Sequence, residues 1–226
     1  MGILRKIKIY KIGVYTQLPE KNLNSIAFQG QSGAYSEMAC TESFPEMQTV
    51  PCENFEDAFE AVLNGTTKYA MIPIENSRAG RVADIHNLLK NSSLHIIKEY
   101  FYKVDHQLLG LADSKLSDIV SVSSHNQALS QCRDFINQNG WSPITMGDTA
   151  GSAAFIVKKN DVRYAAIASS LAGKIHGLKV LARDIQDSKN NITRFVVLSS
   201  DILRGNSNPD VLLKKEDLIQ YFALDI

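Results

Sequence analysis

Residues 191–195 place a hydroxyl and a guanidinium side by side, where a polar segment enters an apolar run. They read Asn-Ile-Thr-Arg-Phe, and residues 196–198 are Val-Val-Leu. A threonine hydroxyl can donate a proton or a hydrogen bond, and a guanidinium can hold a carboxylate. Side chains alternate between the faces of a strand, so Thr193 and Arg194 are predicted to point in opposite directions. One pocket therefore need not hold both groups.

Four other polar segments follow predicted apolar strands. They are Gln-Gly-Gln-Ser-Gly at 29–33, Pro-Ile-Glu-Asn-Ser-Arg-Ala-Gly at 73–80, Ser-Ser-His-Asn-Gln at 123–127 and Asp-Thr-Ala-Gly-Ser at 148–152. In open parallel sheets, ligands bind beyond the carboxyl ends of the strands, close to helix amino termini. Two segments come from each half of the chain, so they could face one another across a cleft.

The first and third segments also have purely structural interpretations. Gly30 and Gly33 suit a tight turn, and the segment lacks the full Gly-x-Gly-x-x-Gly pattern of a dinucleotide site. Ser124 and Gln127 have the spacing of a capping box, which satisfies backbone N–H groups at a helix start without any ligand. These interpretations stay open beside ligand binding.

The second and fourth segments have structural alternatives too. Asp148 or Thr149 is a suitable helix N-cap, and Asn76 with Ser77 could hold an Asx-type turn. Glu75 is harder to explain in this way, because it ends an apolar run. A half-buried carboxylate at such a position requires a partner.

The composition indicates a folded protein of one large domain or two lobes. The chain has 226 residues, 44% of them hydrophobic, and equal numbers of basic and acidic residues, 24 of each. No basic stripe is present, which argues against a nucleic-acid partner. Three cysteines (Cys40, Cys52 and Cys132) without a Cys-x-x-Cys pair indicate reduced thiols in a cytoplasmic protein. Charges interrupt the apolar residues of the amino terminus, so we expect neither a signal peptide nor a membrane span.

The body of the chain alternates predicted strands and helices. Strands are predicted near residues 25–28, 47–50, 69–74, 94–104, 108–111, 119–122, 144–146, 164–168, 178–182 and 193–198. Helices are predicted from residue 34 and at 55–63, 82–90, 126–139, 149–159 and 170–176. Asn54 is expected to cap the second helix and Gly65 to end it. Such alternation indicates an α/β fold with mainly parallel sheets.

Read together, these motifs resemble the prephenate dehydratase family over residues 25–199. The segments that carry the resemblance, in the family's order, are 28–36, 73–77, 124–127 with 131–132, 148–150 and 191–195. The resemblance implies two α/β lobes like those of a type II periplasmic binding protein, with the active site in the cleft between them. It also implies a reaction: prephenate loses carbon dioxide and water to give phenylpyruvate, on the route to phenylalanine.

The resemblance further implies roles for the matching residues. Thr193 would be the essential catalytic hydroxyl, and Glu75 a supporting residue that fixes its loop. We expect substrate binding from Asn76, Ser77, Ser124, Gln131, Thr149 and Arg194. For Arg194, strand alternation leaves open a structural ion pair instead, with Glu75 as one candidate partner.

No cofactor is expected, because aromatisation of the prephenate ring drives the reaction without metal, flavin or nicotinamide. The five histidines also show no metal-binding spacing. Two alternatives remain open: an arogenate dehydratase, whose substrate shares the reacting ring, and a non-catalytic small-molecule binder of the same fold. Since family members commonly associate, we expect a homodimer.

The resemblance suggests a division of the chain. We expect an amino-terminal extension at 1–24, lobe 1 at 25–103, lobe 2 at 104–188, a return strand at 189–200 and a tail at 201–226. Many relatives continue into an ACT domain that binds phenylalanine. The tail is too short for that module, so we expect no ACT-type control unless a separate chain supplies it. A truncated or frameshifted reading frame would end in the same way.

Overall fold

The computed structural model describes residues 22–201. The predicted extension and tail, including a turn expected at residues 206–210 and a helix at 211–224, fall almost wholly outside this range. The strands, in chain order, are β1 (Asn22–Gln29), β2 (Gln48–Cys52), β3 (Thr67–Asn76), β4 (Gly80–Arg81), β5 (His95–Lys103), β6 (Gln107–Gly110), β7 (Ser121–His125), β8 (Ser142–Met146), β9 (Tyr164–Ala168), β10 (Lys179–Ala182) and β11 (Ile192–Ser199). The helices are α1 (Tyr35–Ser43), α2 (Phe55–Leu63), α3 (Ala83–Asn91), α4 (Asn126–Gln131), α5 (Arg133–Gln138), α6 (Thr149–Lys159) and α7 (Ser170–Ile175).

The strands form two separate sheets, each covered by helices. The first has the order β2-β1-β3-β11-β5, with β4 added to β3, and the second has the order β10-β6-β9-β7-β8. We call the first sheet with its helices lobe 1, and the second lobe 2. Each lobe buries its own clusters of apolar side chains. The expected α/β fold of two lobes is confirmed.

Both sheets are mixed, so the prediction of mainly parallel sheets was wrong. Each has a parallel core of three strands, β2-β1-β3 and β8-β7-β9. The chain crosses between the lobes twice, at residues 104–106 (the first crossing) and 183–191 (the second crossing). The antiparallel strands β5, β6, β10 and β11 adjoin these crossings. In lobe 1, β11 returns from lobe 2 and pairs in antiparallel fashion with both β3 and β5. In lobe 2, β6 pairs in antiparallel fashion with both β9 and β10. The alternation of strands and helices could not reveal this, because direction depends on where the chain crosses.

The signals for helix α2 behave as predicted. The side chain of Asn54 accepts a hydrogen bond of 2.8 Å from the N–H of Asp57, and Gly65 has a φ of 75° just beyond the helix. Phe59 and Val62 are buried against the sheet of lobe 1. Cap and apolar spacing together therefore fixed both ends of this helix.

The single helix predicted at residues 126–139 is divided into α4 and α5 at Cys132. The Cys132 N–H is shared between two carbonyls of the preceding turn, at 3.1 and 3.3 Å, and its side chain is fully buried in lobe 2. The interpretation of Ser124 and Gln127 as a capping box was also wrong. His125 is the N-cap of α4, and its Nδ1 accepts from the N–H of Gln127 at 3.3 Å.

The lobes touch where the first polar segment of lobe 1 meets the start of α7. The hydroxyl of Ser169 donates a 2.5 Å hydrogen bond to the carbonyl of Gly33. A Cβ added at Gly33 would lie 2.8 Å from the Cα of Ala172, and Gly33 has a φ of 95°. Only glycine combines this backbone conformation with such a close approach. Within residues 22–201, no helix is long and apolar enough to cross a membrane.

Candidate active site

A cavity of about 400 Å³ lies between the lobes. Lobe 1 contributes the start of α1, the end of β3, β4 and the start of β11. Lobe 2 contributes α4 and the start of α6, and the crossings between the lobes contribute three further residues. The lining side chains used below are Tyr35, Asn76, Arg81, His106, His125, Gln131, Thr149, Asn191 and Thr193. The volume suits a small organic ligand.

Thr193 lies on the wall of this cavity beside Asn76. The two residues are partners across the antiparallel pair β3 and β11, and Asn76 Nδ2 donates to Thr193 Oγ1 at 2.9 Å. A hydroxyl that accepts one hydrogen bond still has its own proton to donate. The predicted catalytic hydroxyl is therefore held in place by a donor, with its O–H available to a ligand.

Asn76 also fixes the loop that follows β3. Its Oδ1 accepts from the N–H groups of Arg78 and Ala79, both at 2.9 Å. This is the Asx-type turn predicted as a structural alternative, and it coexists with the contact to Thr193. Since the oxygen is occupied by two backbone donors, the amide nitrogen must face the cavity wall.

A chain of hydrogen bonds continues from Asn76 across the floor of the cavity. Asn76 Nδ2 also donates to Asn191 Oδ1 at 2.9 Å, and Asn191 Nδ2 donates to Gln131 Oε1 at 2.9 Å. His106 Nε2 lies 2.8 Å from the same Gln131 oxygen. The hydroxyl of Tyr35 lies 2.7 Å from His106 Nδ1. Side chains from both lobes and both crossings thus form one connected network.

Burial keeps the aromatic end of this network neutral. His106 is 2% exposed. Burial lowers the pKa of its imidazole, opposed by the hydrogen bond to Gln131 and by the nearby Asp105 carboxylate. Burial raises the pKa of the Tyr35 hydroxyl well above its ordinary value, aided by Cys132, Tyr102 and Asp105. Both shifts favour the uncharged form of the group.

Arg194 does not line the cavity. Its guanidinium pairs with Glu99 of the neighbouring strand β5, and both side chains are largely buried. Strand alternation, which predicted opposite directions for Thr193 and Arg194, accounts for this arrangement. The geometry gives Arg194 a structural ion pair and does not support its predicted contact with substrate. The partner is Glu99, a residue that the sequence analysis did not consider.

Three other predicted site residues lie outside the cavity lining. Ser124 is fully buried and its hydroxyl donates to the carbonyl of Ile167 at 2.6 Å, so its expected contact with substrate is not supported. The hydroxyl of Ser77 links the loop after β3 to the second crossing, donating to the carbonyl of Asn190 at 3.1 Å and accepting from a backbone N–H. Glu75 stands opposite Arg81 in the pairing of β3 with β4.

Thr149 does line the cavity, as the first residue of α6. The N-cap of this helix is Asp148, whose Oδ1 accepts from the N–H of Gly151 at 2.6 Å, so the capping role falls to the aspartate. The amino terminus of an α-helix favours negative charge. Arg81, in β4 of lobe 1, lines the same cavity and carries a guanidinium. These two features place a guanidinium and a helix amino terminus around the same cavity.

Several residues line the cavity without having been predicted as site residues. His125 belongs to the segment at 123–127 without an assigned role, and it lines the cavity. His106 lies in no predicted segment, and Tyr35, within 28–36, was given no role, because their contacts are with residues far along the chain. Asn191 was part of the motif at 191–195 without an assigned role. Among the residues that the structure describes, no cluster of three or more His, Cys, Asp or Glu side chains could hold a metal ion.

Together, the fold and cavity define a class: a two-lobed α/β protein with a cavity between its lobes, of a size that suits a small organic molecule, beside an oriented threonine hydroxyl. The family model described as "Prephenate dehydratase" matches residues 26–202. The chain belongs to the prephenate dehydratase family.

Two curated relatives and one solved structure illustrate the similarity. A "Bifunctional N-acyl-homoserine lactone acylase/prephenate dehydratase" from Komagataeibacter europaeus is 41% identical, over 77% of this chain and 62% of its own length. "Arogenate dehydratase/prephenate dehydratase 1, chloroplastic" from Arabidopsis thaliana is 44% identical, over 78% of this chain and 45% of its own. A prephenate dehydratase from Arthrobacter aurescens, solved in complex with L-Phe, is 29% identical with a TM-score of 0.74, over 81% of this chain and 63% of its own. The chain thus spans less than two thirds of each of these proteins.

Proposed function

We propose that this protein catalyses the decarboxylating dehydration of prephenate to phenylpyruvate, a step in L-phenylalanine biosynthesis. The observation that carries the proposal is the Thr193 hydroxyl, which accepts from Asn76 at 2.9 Å on the cavity wall and keeps its proton for a ligand. Membership of the prephenate dehydratase family supports the choice of reaction.

The bond changes in this reaction define what the protein must supply. The bond between the ring and its carboxylate breaks, and carbon dioxide leaves. The electron pair released moves into the ring, which becomes aromatic as the hydroxyl on the opposite ring carbon departs. That hydroxyl takes up a proton and leaves as water. The protein must therefore hold a dianion in one orientation and assist a poor leaving group.

We assign assistance of the leaving group to Thr193. Its O–H donates a hydrogen bond to the departing hydroxyl, whose basicity rises as the bond to carbon breaks. A positioned proton donor contributes about 10²- to 10⁴-fold to the rate of such a step. Threonine is a weak acid, so orientation must supply much of the effect. The hydrogen bond from Asn76 supports that orientation.

Binding of the dianion is assigned to groups around the cavity. Arg81 contributes a guanidinium, the start of α6 at Thr149 contributes the positive end of a helix dipole, and Gln131 contributes an amide. Arg194 is left out, because it is paired with Glu99 on the other face of β11. The ring itself packs against apolar atoms, including those of Phe195.

Arogenate is a second candidate substrate. It has the same reacting ring, so Thr193 and Asn76 would serve it equally well. The printed name of the Arabidopsis relative includes arogenate dehydratase, which supports testing it. The two substrates differ only in the side chain that must be bound away from the reacting carbon.

The experiment that tests the proposal compares the two substrates with the purified full chain at neutral pH. Phenylpyruvate is measured from prephenate and phenylalanine from arogenate, each against an enzyme-free control. Faster turnover of prephenate supports the proposed function, and preference for arogenate reassigns it. If both are bound without turnover, the protein is a small-molecule binder of the same fold.

We infer further that the protein is a cytoplasmic homodimer. Cys40, Cys52 and Cys132 are free thiols, which suits a reducing compartment. Phe101, 60% exposed at the edge strand β5, supports a contact with a second copy. Light scattering of the purified protein tests the dimer, and fractionation of the source cells tests the location.

A further inference from the structure

The direction of every hydrogen bond across the cavity floor is set from one end. The N–H groups of Arg78 and Ala79 can only donate, so they fix Oδ1 of Asn76 as their acceptor. Asn76 Nδ2 must then donate to Asn191, which fixes the oxygen of Asn191 as the acceptor. The remaining nitrogen of Asn191 must donate to Gln131, and only Gln131 Oε1 can accept it. The orientations of these amides therefore follow from backbone donors.

The same logic fixes the proton on His106. Gln131 Oε1 is an acceptor, so His106 Nε2, at 2.8 Å, must donate to it. A neutral imidazole with a proton on Nε2 has an acceptor at Nδ1. The hydroxyl of Tyr35, at 2.7 Å, must donate to that Nδ1. Both ring nitrogens are thus satisfied in a side chain that is 2% exposed.

We propose that His106 is a positioning residue, which as the neutral Nε2–H tautomer holds the carboxamide of Gln131 with its NH₂ group facing the ligand. Gln131 Oε1 receives two donors, Asn191 Nδ2 and His106 Nε2. Rotating the carboxamide by half a turn would set its NH₂ against both of them. Such donor–donor contacts leave polar groups unsatisfied, which is costly. Gln131 is therefore confined to one orientation on the cavity wall.

In this orientation, Gln131 presents its NH₂ group to the cavity, where the group can donate to a ligand. Gln131 lines the cavity, and among residues 22–201 no hydrogen-bond partner of its Nε2 is observed. An amide NH₂ donates to a carboxylate oxygen, whereas the flipped amide would present a second acceptor and repel it. This step rests on the proposed function, because it assumes a ligand carboxylate.

The hydroxyl of Tyr35 connects this hydrogen-bond network to lobe 1. It is the first residue of α1 in lobe 1, whereas His106 and Gln131 belong to the crossing and to lobe 2. Without its O–H donor, the buried Nδ1 of His106 would lack a partner, while its Nε2 would still donate to Gln131 Oε1. The hydroxyl of Tyr35 therefore fixes the imidazole ring from lobe 1, and α1 helps to hold the ring against Gln131.

The kinetic test uses two variants that differ in reach. In His106→Gln, the side-chain nitrogen can take the place of Nε2 and donate to Gln131. In His106→Asn, it reaches only the place of Nδ1, and that donor is lost. For whichever substrate the wild type turns over, we expect KM to rise about tenfold in His106→Asn, with kcat within about threefold. His106→Gln should keep KM within about threefold of wild type. A similar KM in all three proteins would overturn the proposal.

A second readout does not depend on turnover. ¹⁵N NMR of the imidazole, assigned by loss of its signals in His106→Gln, reports which nitrogen carries the proton. We expect protonation at Nε2 in wild type and the same tautomer in Tyr35→Phe, because Gln131 Oε1 can only accept. A wild-type His106 protonated at Nδ1, or at both nitrogens near neutral pH, would overturn the proposal. If the wild type turns over neither substrate, the proposed function fails, and the tautomer alone decides whether His106 orients Gln131.

Discussion

Asn76 Nδ2 donates a hydrogen bond of 2.9 Å to Thr193 Oγ1, and the two residues are direct partners across β3 and β11. They lie 117 positions apart in sequence, so only the return of the chain from lobe 2 brings them together. The direction of this bond matters more than its presence. Because the hydroxyl is the acceptor, its own proton is free to meet a departing group in the cleft.

Gln131 is expected to contribute to binding more than to chemistry. Gln131→Ala removes an amide that donates to the substrate in both ground and transition states, so KM should rise about tenfold while kcat falls less than threefold. Steady-state kinetics with the preferred substrate checks this. Ser130→Ala, in the same turn of α4 but outside the cavity lining, is the matched control. A large fall in kcat with unchanged KM would mean that Gln131 acts in the chemical step.

Arg194 and Glu99 are expected to stabilise the fold without touching substrate. Their side chains are 18% and 22% exposed, between the regimes of surface and buried ion pairs. Arg194→Met and Glu99→Gln should each lower the free energy of unfolding by about 1–3 kcal/mol. Because the pair lies on the face of β11 away from the cavity, KM should stay within about twofold. Denaturant titration and steady-state kinetics measure the two effects, and a double mutant cycle gives the coupling. A tenfold rise in KM for Arg194→Met alone would restore it as a substrate contact.

Gly33 is expected to be irreplaceable for the contact between the lobes. In Gly33→Ala, the added Cβ meets the backbone of Ala172 at 2.8 Å, and the φ of 95° is strained as well. Relief of the clash requires the backbone at Gly33 or Ala172 to shift, which would disturb the contact between the lobes and should raise KM. Gly140→Ala is the control, because Gly140 has a φ of 67° but no atom within 4 Å of a Cβ. It should cost about 1–2 kcal/mol of stability and leave KM unchanged. Equal KM in the two variants would show that this contact does not govern binding.

His106 is expected to make stability depend on pH in the mildly acidic range. Burial lowers its folded-state pKa below the unfolded value of about 6.5. The unfolded chain therefore binds the proton more readily, and the stabilising contribution, complete above pH 6.5, is lost as the pH falls toward the folded-state pKa. The groups facing the ring are the Tyr35 hydroxyl and the Gln131 amide, with the Asp105 carboxylate close by.

Denaturant titrations across this range check the pH effect by comparing wild type with His106→Gln. The difference in unfolding free energy, wild type minus variant, should increase from about pH 5 to pH 7. The pKa of His86 is lowered too, by burial and by Arg81, and gives a slope of the same sign. Because His86 is present in both proteins, its contribution cancels in the comparison. Parallel curves would show that His106 is not held neutral by the fold.

Local sequence signals predicted most of the elements. The cap at Asn54, the αL residue at Gly65 and the bounds of β9 and α6 all depend on neighbouring residues, and the structure agrees with them. The predictions were wrong where contacts between distant parts of the chain determine the structure. The sheet of lobe 1 is mixed because β11 returns from lobe 2, and the sheet of lobe 2 is mixed because β6, which enters from lobe 1, pairs in antiparallel fashion. The helix at 126–139 is divided at Cys132, next to the carbonyl of Gln131, which accepts from the distant N–H of Asp187 at 2.7 Å.

The site was predictable to the extent that its residues lie in motifs. Asn76, Gln131, Thr149 and Thr193 do line the cavity. Ser124 lies in a motif as well, yet its hydroxyl donates a hydrogen bond to a carbonyl of the neighbouring strand β9. The motif could not indicate this contact. His106 lies in no polar motif at all, and only its contacts with residues 25 and 71 positions away reveal a role. Pairing across lobes is the information that the linear pattern lacks.

The central claim is that the Thr193 hydroxyl assists departure of the leaving group. The most direct test measures kcat for phenylpyruvate formation from prephenate in wild type, Thr193→Ala and Thr193→Ser, with thermal unfolding of each. Loss of the hydroxyl in Thr193→Ala should lower kcat by about 10²- to 10⁴-fold with little change in Tm, whereas Thr193→Ser should retain most of the activity. A Thr193→Ala protein that is folded and turns over prephenate at the wild-type rate would contradict the claim.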